Sequence, residues 1–159
     1  MELFDKKTLK AIGKKLIRKK QSVSVAESVT SGLLQLAFSS IPDASQFFQG
    51  GITVYNLRQK YKHLKVELIH ALSVNCVSQQ VATEMALHIG EHYSSDWGIG
   101  ITGYASPVPE SENKVFAFYA ISYKNKLKAK GKITARKDEP IQLQLKYTNF
   151  IMQKFEKLL

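Results

Sequence analysis

Val23-Ser24-Val25-Ala26-Glu27-Ser28-Val29-Thr30-Ser31-Gly32 joins a β-branched run, ending at Ala26, to a helical apolar spacing at Leu33, Leu34, Leu36 and Ala37. The segment therefore reads as a strand that turns into a helix. Such a turn aims backbone N–H groups, and the positive end of the helix dipole, at whatever lies above it. A serine in that place serves as a nucleophile, an anion ligand or a cap. Ser and Thr are favoured there for local hydrogen bonding alone, so the pattern leaves all three roles open.

Outward from this turn, strands and helices alternate. Residues 5–20 read as a helix with Phe4, Leu9, Ile12 and Leu16 on one face and lysines elsewhere. Ser22 to Ala26 is a strand, and the helix after Gly32 runs to about Ser40, where Ile41-Pro42-Asp43 breaks it. Gly51 to Tyr55 reads as a second strand with a glycine pair in front. Asn56 caps a helix carrying Arg58, Lys60 and Lys62, and Ser78 caps a long helix over Gln79 to Tyr93 with Val81, Met85 and Ile89 buried. Trp97 to Thr102 is a third strand, Gly103 to Asn113 a loop. Val115 to Tyr123 and Lys126 to Thr134 form a hairpin across Lys124-Asn125. Pro140 opens a closing helix. This order predicts an α/β fold, a three-layer α/β/α sandwich with a mixed sheet, as one domain over residues 1–159.

Composition narrows the class. With 159 residues, 44% hydrophobic content and 10% aromatics, the chain suits one globular core. No apolar run approaches the ~20 residues that span a bilayer, so no membrane partner is expected. The single cysteine, Cys76, cannot pair within the chain, which points to a reducing, cytoplasmic setting. Net charge is +10, and 8 of the 23 basic residues fall in the first helix while residues 66–113 contain none. The charge reads as a solvated helix face and a protected sheet edge. No nucleic-acid module pattern accompanies it, so nucleic acid is not expected as a partner.

Five segments in order resemble one family. Ala26-Glu27-Ser28-Val29-Thr30-Ser31-Gly32 is similar to the A-E-S-C-T-G-G signature of the CinA C-terminal domain, the nicotinamide-mononucleotide amidase family. Phe48 to Tyr55 resembles F-E-R-G-F-V-T-Y, and Tyr55 to Lys60 resembles Y-S-N-E-A-K with its first and last residues kept. Val77 to Ala86 is similar to V-S-E-x-V-A-x-E-M-A, and Thr102 to Pro107 to T-G-I-A-G-P.

The resemblance implies a CinA C-terminal-like fold and hydrolysis of the carboxamide of nicotinamide mononucleotide to nicotinate mononucleotide and ammonia. It implies Ser28 as nucleophile and Lys60 as its base, with Tyr55 beside them, and neither metal nor cofactor. A serine hydroxyl needs such a base, and a lysine serves only when its pKa falls toward neutrality. The helix start after Thr30 would stabilise the oxyanion, with Ser31 and Gly32 as donors. Thr102 and Gly103 complete the expected substrate contacts, and Arg136 is the candidate for charge. The implied partners are a small-molecule nucleotide substrate and further copies of the chain, as a homodimer or higher homo-oligomer.

Departures from the family pattern motivate a second reading, an inactive relative retained as a ligand-binding or interaction module. Ser31 replaces the first of two glycines. Residues 108–114 lack the family's glycine-rich run and add Glu110 and Glu112. Gln142 stands where the family's second arginine falls. Other matches carry less. His88-Ile89-Gly90-Glu91-His92 fits a zinc-peptidase pattern but lacks a third ligand and reads as a helix end. Cys76 reads as a packing residue with nothing electropositive beside it.

Overall fold

The computed structural model describes residues 2–159. Five strands form one mixed sheet in the order β2-β1-β3-β4-β5. These are β1 (Val23–Glu27), β2 (Phe48–Thr53), β3 (Trp97–Tyr104), β4 (Phe116–Tyr123) and β5 (Lys126–Thr134). β1 runs parallel to both β2 and β3, whereas β4 and β5 add antiparallel. Six α-helices cover the sheet: α1 (Lys6–Lys19), α2 (Leu33–Ser39), α3 (Leu57–Leu64), α4 (Leu68–Ser73), α5 (Gln79–His92) and α6 (Pro140–Leu158). No described helix is long and apolar enough to cross a membrane.

Two cores explain the three layers. On one face α1, α2 and α6 bury Leu9, Ile12, Leu16, Phe38, Tyr147 and Phe155 against Val25, Ile99 and Ile121. On the other, α3, α4 and α5 bury Leu64, Ala71, Val81, Met85 and Ile89 with Val54 and Ala26. β1 is covered from both sides, so every one of its residues is buried, as expected of a central parallel strand. Helix α5 packs unusually close to β3. A Cβ on Gly98 would lie 2.1 Å from the Ala86 carbonyl oxygen, and one on Gly100 2.5 Å from that of Ala82. Glycine is therefore required at both positions for the helix to seat.

Some boundaries differ from the sequence expectation, for physical reasons. The second strand is Phe48–Thr53 rather than Gly51 to Tyr55. Its glycines lie inside it, because the register slips opposite Val23/Ser24 and Gly50 takes up φ 128° there. At its end the Val54 N–H still donates to Glu27 O at 2.8 Å before the chain leaves the sheet. β3 continues through Gly103 to Tyr104, paired with Phe116, so the loop is shorter than expected. Helix α4 lies between the helices capped by Asn56 and Ser78, in a stretch where the sequence assigns no element. Its signal is Glu67, whose carboxylate accepts from the Ile69 and His70 N–H groups and caps it.

Edge strand β5 carries Lys126, Lys128, Lys130 and Lys132, all exposed.

Candidate active site

The turn after β1 is built by Glu27. This fully buried carboxylate accepts from Thr30 Oγ1 (2.6 Å), the Leu34 N–H (2.8 Å), the Gln35 N–H (3.0 Å) and Gln35 Nε2 (2.9 Å). A side chain from the strand end thus caps helix α2 across its connecting turn. It neutralises the positive helix terminus and uses the very donors that terminus offers. Ser31 closes the turn at φ 48°, its N–H donating to Ser28 O at 3.2 Å, and Gly32 follows at φ 101°. The serine that replaces a family glycine therefore sits in the left-handed region, at a cost of order 1 kcal/mol. Its hydroxyl also donates to Ser28 O (3.3 Å). Glu27→Ala is expected to lower the unfolding free energy by about 3 kcal/mol, measured by denaturant unfolding. A loss below 1 kcal/mol would refute the clamp.

Ser28 and Lys60, 32 residues apart, meet in the fold. Lys60 Nζ donates to Ser28 Oγ at 2.9 Å and to the Val54 carbonyl at 2.9 Å. Asn56 caps α3 by accepting from the Gln59 N–H (3.0 Å), which sets Lys60 one turn into the helix. Lys60 and Leu64, at i and i+4, share the inward stripe. Lys60 is 1% exposed, and burial pushes its pKa from 10.5 down to about 8. Near pH 7 the amine is still mostly protonated, but a fraction on the order of a tenth is neutral, far more than for an exposed lysine.

These two groups line a cleft of about 520 Å³ at the carboxyl ends of β1 and β3. Its walls include Tyr55, Leu72, Asn75, Cys76, Thr102, Gly103, Tyr104, Val108 and Gln144. Of the expected site residues, Ser28, Lys60, Tyr55, Thr102 and Gly103 are thus brought together. Tyr55 stands at the mouth, 75% exposed. Thr102 Oγ1 donates to Cys76 O at 2.7 Å, tying β3 to the chain after α4.

Other expected residues lie elsewhere. Thr30, Ser31 and Gly32 do not line the cleft. The Thr30 hydroxyl is spent on Glu27, and the Ser31 N–H on Ser28 O, so that N–H is not free for an oxyanion. Arg136 is exposed beyond β5 and lines no part of the cleft. The 104–113 segment forms a wall rather than a plug. A 3₁₀ turn over Pro109–Ser111 is held by the Ser111 hydroxyl bonding Val108 O (3.0 Å) and Lys114 O (2.7 Å). Glu110 and Glu112 are exposed and do not line the cleft.

Cys76 departs from its expected surroundings. The Lys60 charge acts on it and favours the thiolate, but burial outweighs that and pushes the thiol pKa up. Cys76, Asn75 and Leu72 were absent from the sequence-derived site because they follow or belong to α4.

Comparison with known proteins adds the lineage. The family model described as "CinA C-terminal domain" matches residues 5–159. A CinA-like protein from Gloeothece citriformis is 41% identical over 111 residues, 69% of this chain and 27% of its own length. One from Prochlorococcus marinus is 36% identical over 109 residues, covering 69% and 26%. The chain thus spans about a quarter of these curated relatives. Among solved structures, a CinA superfamily protein from Escherichia coli superposes with TM-score 0.89 at 25% identity, covering 96% of this chain and 88% of that one. The competence/damage inducible protein CihA from Agrobacterium tumefaciens gives 0.87 at 22% identity and 99% coverage of both, a likeness of fold.

Proposed function

Because the chain belongs to the CinA C-terminal domain family and seats a neutralisable lysine against a serine, we propose that it is a serine–lysine amidohydrolase. Its substrate is the carboxamide of a nicotinamide-mononucleotide-type compound, released as carboxylate and ammonia. The observation that carries this reading is the 2.9 Å contact between Lys60 Nζ and Ser28 Oγ, inside a cleft with room for an amide.

The chemistry follows from that contact. Val54 O holds one Nζ hydrogen, which orients the lone pair of the neutral amine toward Ser28. Ser28 Oγ attacks the amide carbon as its proton passes to Lys60. The same proton then moves to the departing nitrogen, and ammonia leaves an acyl-serine. Water attacks the ester and gives its proton to Lys60, which passes it to the departing Ser28 Oγ, so that the acid leaves and both groups return to their starting states. The direct test is ammonia release from nicotinamide mononucleotide by the purified protein. A rate indistinguishable from the protein-free control, across several nucleotide amides, would reject the proposal and leave the ligand-binding reading in its place.

A further inference from the structure

The cleft that holds Ser28 and Lys60 contains no second cation among the described residues: every other lining side chain is uncharged. Lys60 is itself buried and engaged by Ser28 and Val54. The nucleotide of the proposed reaction carries a phosphate, and this lining supplies no free cation for it.

One wall leads directly to a cation. Tyr104 lines the cleft, its hydroxyl accepting from Asn75 Nδ2 at 3.1 Å. Its ring meets that of Phe116 edge-on at 5.3 Å, and Phe116 meets Phe118 at 5.8 Å. Lys132 Nζ sits over this row, 4.1 Å from the Phe116 centroid and 5.5 Å from that of Phe118. Strand register puts all four side chains on one face of the sheet, since Tyr104 pairs with Phe116 and Phe118 with Lys132. Lys130, two residues along and paired with Ala120, falls on the same face. No acidic residue occurs between Lys114 and Lys137 to quench this charge.

We propose that Lys132, with Lys130 beside it, forms an anion subsite that receives the phosphate of the amide substrate, while Tyr104 and Phe116 bridge it to the cleft. The identity of that ligand rests on the amidase reading; the subsite itself rests on the ring row and the two lysines. Contact with the ring face fixes the Lys132 ammonium without consuming its hydrogen-bond donors, leaving them for phosphate oxygens. Phosphate remains bound equally in ground and transition states, so its loss acts on KM rather than on kcat.

The experiment compares nicotinamide mononucleotide with nicotinamide riboside, which lacks the phosphate. In wild type, KM is lower for the mononucleotide. In Lys132→Gln the ratio of riboside KM to mononucleotide KM falls by roughly tenfold, as expected for one charge-assisted contact, and further in Lys130→Gln/Lys132→Gln. Lys126→Gln, at the far end of β5 beside Tyr123, keeps the wild-type ratio. An unaltered ratio in Lys132→Gln overturns the subsite, as does an equal KM rise for both compounds. Calorimetric binding of the same two compounds to Ser28→Ala, with and without Lys132→Gln, separates the two proposals. If wild type releases no ammonia yet the Lys132 change selectively weakens mononucleotide binding, the subsite stands and the amidase reading falls. Equal or undetectable binding of the two compounds overturns the subsite.

Discussion

Alanine at position 28 is expected to lower ammonia release by at least about 10⁴-fold, the scale seen when a serine nucleophile is removed. Among the described residues, the Ser28 hydroxyl is the nucleophilic side chain of the cleft that is hydrogen-bonded to the Lys60 amine, and the proposed acyl intermediate forms on it. Overall stability should move little, because among the described residues Ser28 Oγ donates to no acceptor that would be orphaned by its loss. The variant keeps the Val54 partner of Lys60, and its thermal unfolding should fall within a few degrees of wild type. Retention of more than a few per cent of the activity, in protein freed of host amidases, would remove the nucleophile from the scheme.

Lys60→Met is expected to do two things at once. It abolishes hydrolysis, and it stabilises the fold at pH 7. A buried ammonium whose pKa falls from 10.5 to about 8 costs the folded state on the order of 3 kcal/mol when protonated. Loss of the Val54 hydrogen bond returns about 1 kcal/mol of that, so the net gain is roughly 2 kcal/mol. The pH dependence fixes the sign. Between about 8 and 10.5 the unfolded chain holds a proton that the folded chain has released, so wild-type stability rises with pH in that window. The advantage of the methionine variant is therefore full below pH 8 and fades toward pH 10.5. The wild-type kcat/KM carries the same group and rises tenfold per unit up to about 8, then levels. Denaturant unfolding at pH 7 and pH 10 checks the first statement, and a variant less stable than wild type at both would contradict it. Stability is thus surrendered at the position proposed to supply the base.

How far the sequence reached depends on what each residue answers to. The order of strands and helices was legible because apolar periodicity is a local property: α1, α5 and the β4–β5 hairpin follow directly from it. Lys60 was reached through the resemblance of Tyr55 to Lys60 to the family segment, because by itself a lysine in that helix reads as a solvated one. What could not be read was the use of Glu27. Its carboxylate caps a helix that starts six residues later, and only the folded turn reveals that the helix terminus is already occupied. Helix α4 was hidden for a different reason. Six residues hold too few apolar positions to show a period, and its cap is a glutamate rather than a residue favoured at N-caps. With α4 went Leu72, Asn75 and Cys76, all of which line the cleft. Arg136 stood for charge in the sequence because register is lost after β5, whereas Lys132 is placed by strand pairing that only the assembled sheet supplies.

Both margins of the sheet discourage its growth. On one side, β5 presents ammonium groups where a flat strand would invite backbone pairing; on the other, the glycine slip in β2 twists the ladder out of line. Continuation of the sheet into a neighbouring molecule is therefore disfavoured at both flanks, and the ladder ends where the chain ends it.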